Sequence, residues 1–406
     1  ITVVRARAFR TGLTPGKVAT RSYIVGPDVA SRCFFPVISL VTDPVNLFDN
    51  ATGIYVPGNL YVPGADETGN YFQSGAAWER PVHVELFNEA GDVVLSQDAG
   101  IRISGNATVK LPQKTVKLYA GIGYGEPTFG AQLFPELPST SYARFRVRNS
   151  GDDWGYIGFR DLSIHTMFDG LDFDRQAGRP VIQFLDGEYW GLANLRDEYS
   201  RFYYERMYGV PEADVVLLEN DGEVDDGPAD GNLPYFALRT YVAAHDMNDP
   251  AAFAHVDSLM DVANFIEYCT AEIYAANTDW PGNNIVFWRR NLATNALGAP
   301  TGHDGRWRWS LKDMDDSVIT GKVTRYLLRE MATRPDLTVN EYQVQIAVSL
   351  TFTIRKTNET IFERRTFNGS GNYVLNDPQG TTEQSARAEA AAEIVRDILA
   401  QVVEDW

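Results

Sequence analysis

Residues 277–290, NTDWPGNNIVFWRR, and residues 304–317, DGRWRWSLKDMDDS, decide how this chain is read. Asp279 and Asn284 stand on a loop directly after a helical stretch over 261–276, where Asp261 caps and Val262, Phe265, Ile266, Cys269 and Ile273 make one apolar face. A strand at Ile285–Arg290, a turn region at Asn291–Gly305 and a second strand at Arg306–Leu311 follow, and that strand delivers Asp313-Met314-Asp315. A hairpin brings acidic groups that are distant in sequence to one cleft edge. Strand alternation buries about half of the tryptophans Trp280, Trp288, Trp307 and Trp309.

Working upstream, IRISGNATVKLPQKTVKLYA (101–120) reads as a strand ending at Gly105, an Asn/Thr turn, and a strand beginning Gln113-Lys114-Thr115. Lys114 is the lysine placed to reach over a cleft, and Lys117 reads as a solvent-facing charge on an amphipathic strand. In GEYWGLANLRDEYSRFYYE (187–205), Asp197 and Glu198 stand at a helix start that ends at Gly209. They either orient the lysine or serve only as first-turn acids favoured by the helix dipole.

Phosphoryl transfer needs a carboxylate near the acceptor hydroxyl and hard oxygen ligands that hold Mg²⁺ against phosphates. D-x-x-x-x-N, a hairpin and a following Asp reproduce, as a pattern, the order of those parts in protein kinases. The competing reading makes Asp279 a turn cap before Trp-Pro-Gly and makes Asp313 and Asp315 a solvated strand end.

Residues 1–26 alternate as two strands around TGLTPGK. Further strand signals are PVISLV after Pro36, a hairpin turning at Glu89–Asp92, RFRVR, and a hairpin at Asp186–Gly187. Helical periodicity returns at Arg325–Arg334 and Ala386–Val403, so a β-rich first half and a helical second half predict an α+β protein of two lobes. The acidic stretch 221–232, DGEVDDGPADGN, reads as a solvated loop whose spacing misses the EF-hand pattern.

A net charge of -18 argues against nucleic acid as the main partner, and no apolar run is long enough to span a bilayer. Cys33 and Cys269 lack CxxC spacing, the five histidines form no HExxH, and there is no G-x-S-x-G elbow. The chain opens at Ile1 without an initiator Met and reads as a fragment or mature form of something longer.

Six blocks in this order resemble the CotH kinase family of atypical protein kinases: PVISLVTDPVNLFDNATGIYV, RISGNATVKLPQKTVKL, RVRNSGDDW with FRDL, LDGEYWGLANLRDEY, DWPGNN, and RWRWSLKDMDDS. The resemblance runs from about Pro36 to about Val318. It implies a kinase-like fold with a β-rich lobe over about 31–195 and a mainly helical lobe over about 196–406. The implied activity moves the γ-phosphate of ATP, with Mg²⁺ or Mn²⁺, to Ser/Thr of proteins including itself. Asp279 would be the catalytic residue, Lys114 the phosphate-binding lysine with Asp197 or Glu198 beside it, and Asn284, Asp313 and Asp315 the metal site. An exported, bacterial cell-surface location goes with this family.

Residues 1–30 resemble the end of a chitobiase/hexosaminidase-type Ig-like domain. Departures from the family pattern are Asp316-Ser317-Val318 in place of an aromatic-Gly pair, Lys312 before Asp313, and the absence of a G-x-G-x-x-G loop, which leaves Gly105–Thr108 to cover phosphates. Two rival expectations stand beside the enzyme: a catalytically silent kinase-fold scaffold or adhesin, and an accessory module of a secreted carbohydrate-active protein.

Overall fold

The computed structural model describes residues 1–26, 35–315, 317, 320–333, 339–354, 359–375, and beyond them 381–383, 385–387, 389, 390 and 394. The alternating N-terminal stretch forms the expected antiparallel hairpin, β1 (Thr2–Arg7) with β2 (Val18–Tyr23). It docks on the next element through Ser22, whose N–H donates to Glu85 at 2.6 Å and whose hydroxyl lies 2.8 Å from that of Ser39.

Seven strands then close into a barrel: β3 (Val37–Val41), β4 (Arg80–Phe87), β5 (Val93–Ile103), β6 (Val116–Tyr119), β7 (Arg144–Arg148), β8 (Gly178–Leu185) and β9 (Glu188–Arg196). The order around it is β3-β4-β5-β6-β7-β9-β8, and β8 returns parallel to β3 to shut it. Alternate residues fill the inside, among them Val84, Ile101, Val116, Leu118, Phe145, Val147 and Leu195. The β8–β9 turn has positive φ at both Asp186 and Gly187, the geometry that matches strand twist in a tight hairpin. A short helix, α1 (Pro44–Phe48), interrupts the loop expected after β3. Asp43 accepts from Val45 N–H and Pro44 starts the turn, a cap-plus-proline signal. Helix α2 (Arg160–Met167) lies between β7 and β8.

Beyond the barrel, α3 (Arg201–Tyr208) ends at Gly209 with φ 71°, as expected. It starts later than expected. Ser200 is its cap and accepts from Tyr203 N–H, so Asp197 and Glu198 precede the helix and are not first-turn acids.

A second sheet has the order β11 (Glu223–Asp226), β10 (Val215–Glu219), β12 (Val286–Arg290), β13 (Arg308–Ser310). β11 falls inside the stretch expected to be an acidic loop, because Glu219–Glu223 and Leu217–Asp226 pair across a turn. The helices α4 (Leu233–Ala244), α5 (Pro250–Asp257) and α6 (Val262–Tyr274) complete this part.

Sheet β10–β13 is covered on both faces, so Trp288, Trp307 and Trp309 are all buried and alternation exposes none of them. Trp288 stacks on Tyr204 at 4.2 Å on one side, and Phe287 stacks on Trp309 at 5.4 Å on the other. On α6, Asp261 caps as expected, but Ile266 and Ile273 are exposed. The inward face instead carries Asn264, Tyr268, Ala271, Glu272 and Tyr274. Asn264 takes that place because its amide clamps the sheet: Nδ2 donates to Asp172 O at 2.5 Å and Oδ1 accepts from Trp309 N–H at 2.7 Å.

Where a helix is expected over Arg325–Arg334, the described residues 325–333 are a strand, and Arg334 lies outside the described residues. β14 (Thr320–Thr333), β15 (Val339–Ile354) and β16 (Glu359–Val374) form an antiparallel sheet in that order. Pairing along the whole length of β14 overrides the local periodicity. The described residues of the expected helix at Ala386–Val403 are helical, and they lie close on β16: a Cβ on Gly369 or Gly371 would fall 1.9 Å or 2.0 Å from the carbonyl oxygens of Ala390 and Ala386. The rest of that stretch lies outside the described residues. The protein is α+β, but the described residues of its second half are not mainly helical.

Candidate functional site

The site grows from β7. In RFRVR, Phe145 and Val147 point into the barrel, so Arg144, Arg146 and Arg148 share the outer face. Arg144 donates to Asp226 at 3.1 Å, Arg146 donates to Glu198 at 2.8 Å, and Arg148 donates to Asp313 and, at 2.6 Å, to Asp315. On β6, Lys117 stands opposite Arg146 and its Nζ lies 2.6 Å from Glu198 Oε1. Burial alone would raise the Glu198 carboxyl. Arg146 and Lys117 outweigh it and hold that group at about 2.

Lys114 sits elsewhere. The strand starts at Val116, after a tight turn over Ala107–Lys110, so Lys114 is in the connection between them. Its ammonium donates to the carbonyls of Val109 (2.6 Å) and Leu111 (2.8 Å) and lies over the rings of Tyr71 and Tyr55. Burial lowers it to about 8. The expected acidic partners do not reach it: Asp197 accepts from Arg206 at 2.6 Å, and Glu198 belongs to Lys117.

After β13 the chain turns at Asp313, whose φ is 56°. Met314 is buried and its N–H donates to Asp161 of α2 at 2.9 Å. Asp161 is itself held by Arg196 at 3.1 Å and by His165 Nε2 at 3.2 Å. Because His165 Nδ1 accepts from Gln176 N–H, Nε2 carries the proton; burial and Arg196 push the imidazole down to about 4 and keep it neutral. Asp315 also accepts from Asp152 N–H at 2.9 Å. Burial raises Asp315 to about 8, whereas Arg148 overcomes burial at Asp313 and holds it below the ordinary value. Lys312 turns away to Glu219 of β10, as strand alternation requires.

The loop after α6 carries the other candidates. Asp279 Oδ2 accepts from the amides of Asn283 and Asn284, each at 2.8 Å. Asn277 ties this loop to the Asp313 turn: its Nδ2 donates to Glu272 Oε2 at 2.9 Å and approaches Asp313 O at 3.4 Å, while its Oδ1 accepts from Asp279 N–H at 3.3 Å. Asp279 is thereby grouped with Asn284, and Asp313 with Asp315, with Asn277 between the two loops.

Sequence reasoning missed four groups here. Arg148 lies in the RVRNSGDDW block with no role assigned by pattern, Lys117 reads as solvated, and nothing in the spacing singles out Asp161 or Glu272. Signals existed: three arginines at alternate positions of one strand, and an acid set among the apolar residues of α6.

Among the described residues, no three His, Cys, Asp or Glu side chains gather into a metal cage. The donors do fit a phosphate-borne Mg²⁺, which takes one or two carboxylates and completes its shell with phosphate oxygens and water. The Asp313 side chain is 26% exposed, and Asn284 keeps its carbonyl oxygen while its Nδ2 donates to Asp279.

The model of the CotH kinase protein family matches residues 101–341, from the end of β5 into β15. A second model, of a lipopolysaccharide-assembly family, matches residues 289–406, less than a third of the chain. No curated protein matches it. Since the first match spans more than half of the sequence and holds every candidate side chain described above, the chain belongs to the CotH kinase protein family.

Proposed function

We propose that this protein is an ATP-dependent phosphotransferase acting on Ser/Thr hydroxyls of proteins, itself included. The observation that carries the reading is the Lys117–Glu198 ion pair, 2.6 Å long, between a barrel strand and an acid two residues before Ser200, the cap of α3. In kinases a strand lysine held by a helix glutamate binds the α/β-phosphates, and here an acid just ahead of a helix takes the place of that glutamate. Lys117 takes that part in this proposal in place of Lys114, whose ammonium is spent on two carbonyls.

Asp279 accepts the proton of the attacking hydroxyl; Asn283 and Asn284 fix its Oδ2 and leave Oδ1 for that work. Asp313 and Asn284 offer hard oxygen donors to Mg²⁺ or Mn²⁺, and Asp315 supports them while held by Arg148 and Asp152 N–H. When bound, the cation neutralises charge building on the phosphate oxygens. Asp197 keeps Arg206 in place, and Lys114 shapes the turn Gly105–Leu111 that covers the phosphates.

A division into a β-rich lobe over about 31–195 and a second lobe over about 196–406, with the cleft between them, belongs to this proposal. So do the assignment of residues 1–30 to an Ig-like module and a bacterial exported location. The carbohydrate-module reading loses its main support, because Trp288, Trp307 and Trp309 are core residues.

The test is labelling with γ-labelled ATP and Mg²⁺ or Mn²⁺, run beside Asp313→Ala and Asp279→Ala. Label on the parent and on neither variant supports the reading. Equal label on all three sinks the site assignment, and nucleotide binding without label on any moves the protein to the scaffold class.

A further inference from the structure

We propose that Arg148 is a latch on the metal-binding carboxylates which an incoming polyphosphate, and not the cation alone, releases. The inference rests on the phosphotransferase reading above. One guanidinium nitrogen, Nη2, spans both Asp313 and Asp315, and the side chain is only 11% exposed. A protein cation therefore stands against Asp313 where a divalent ion would need it.

The latch is built in. Gly151, with φ 60°, brings the backbone so near that a Cβ there would lie 1.8 Å from Asp315 Oδ2 and 2.5 Å from Arg148 Nη2. Asp152 N–H holds the same Asp315 oxygen, so Asp315 keeps a partner if Arg148 moves. Behind Arg148, Asp161 stands 3.9 Å from Nε, and Nε has no hydrogen-bond partner. The guanidinium is thus hydrogen-bonded to carboxylates at one end and held at the other only by the Asp161 charge, without a hydrogen bond.

A phosphate group is the ligand this cation suits, because guanidinium forks match phosphate oxygens. Lys117 and Arg146 share the outer barrel face with Arg148 and both pair with Glu198, whereas Arg148 reaches across to Asp313 and Asp315. With a triphosphate present, Arg148 turns one edge to a phosphate oxygen and uncovers Asp313 for the cation. Metal alone has to compete with Arg148. The order of loading follows: polyphosphate with its cation binds well, and the free cation binds poorly.

Two titrations on the full chain test this: Mn²⁺ alone, and inorganic triphosphate in EDTA. For Arg148→Gln we expect Mn²⁺ to bind about tenfold tighter and triphosphate about tenfold weaker, within the usual range of coupling between linked sites. Arg148→Lys keeps the charge but cannot fork, so both values should lie between those of the parent and the Gln variant; this variant carries the test if the Gln variant does not fold. A parent that binds Mn–ATP, with variants whose Mn²⁺ affinity is unchanged or lower, overturns the latch and leaves the transferase reading standing. A parent that binds neither triphosphate nor Mn–ATP overturns the reading on which the latch rests.

Discussion

Glu272 holds Asn277 by a 2.9 Å hydrogen bond inside the protein, and Asn277 in turn touches both loops that carry the acidic candidates. Glu272 is fully buried, and its second oxygen has no hydrogen-bond partner. Ala276 between them has a φ of 48°, a conformation the backbone keeps only when its surroundings over-determine it. The spacing between Asp279 and Asp313 therefore depends on a carboxyl that touches neither.

This carboxyl makes stability pH-dependent. Burial raises Glu272 from 4.5 to about 7, so between those values the folded state binds more protons than the unfolded chain. Its contribution to stability therefore falls as pH rises from about 4.5 to about 7, and the penalty is complete above that window. Glu272→Gln removes the titration. Denaturant melts at pH 5 and pH 8 should show the variant gaining on the parent at the higher pH, by up to about 3 kcal/mol. A constant difference between parent and variant would contradict the assignment.

Lys117→Ala should lower phosphotransfer by on the order of 10²–10³-fold, because it removes a cation from the phosphates and leaves buried Glu198 one partner short. Lys114→Met should lower the melting temperature more than it lowers activity, since Lys114 binds backbone carbonyls. Steady-state rates and melts on both variants separate the two lysines; the reverse ranking would restore Lys114 to the phosphate role.

Gly151→Ala is expected to cost about 2 kcal/mol or more, from a positive φ and from the clash with Asp315. Chemical denaturation gives the value. A neutral result would mean that the loop does not pack against Asp315 as described.

Trp288→Ala should destabilise by about 3–5 kcal/mol, because the indole is fully buried and stacked on Tyr204. An exposed sugar-binding tryptophan would cost far less, so the same melt also bears on the carbohydrate reading.

The strands of the barrel could be read from the sequence because they alternate and their turns carry their own residues, as at Asp186–Gly187, but their closure through the parallel pair β3–β8 could not. The hairpin from Val286 to Ser310 followed for the same reason. Lys117 was misjudged although alternation placed it correctly on the outer face. Pattern alone cannot say that Glu198 and Arg146 cover that face. Arg325–Arg334 failed differently: its apolar spacing suits a helix, and only β15, a partner later in the chain, makes it a strand. The pairing of Asp313 with Arg148 lies 165 positions apart, beyond any local signal.

Barrel closure also sets a timetable for biosynthesis. Val37 pairs with Ile182, and beside that seam Thr42 and Asp186, 144 residues apart, share a 2.7 Å hydrogen bond. At ~5–20 residues per second, a ribosome needs on the order of ten seconds or more to cover that interval. Throughout it, the first barrel strand has an open edge with no partner yet made. An edge left bare for that long invites other chains, so a holdase bound to the nascent segment should raise the yield of folded protein most when it acts before Arg196 has emerged.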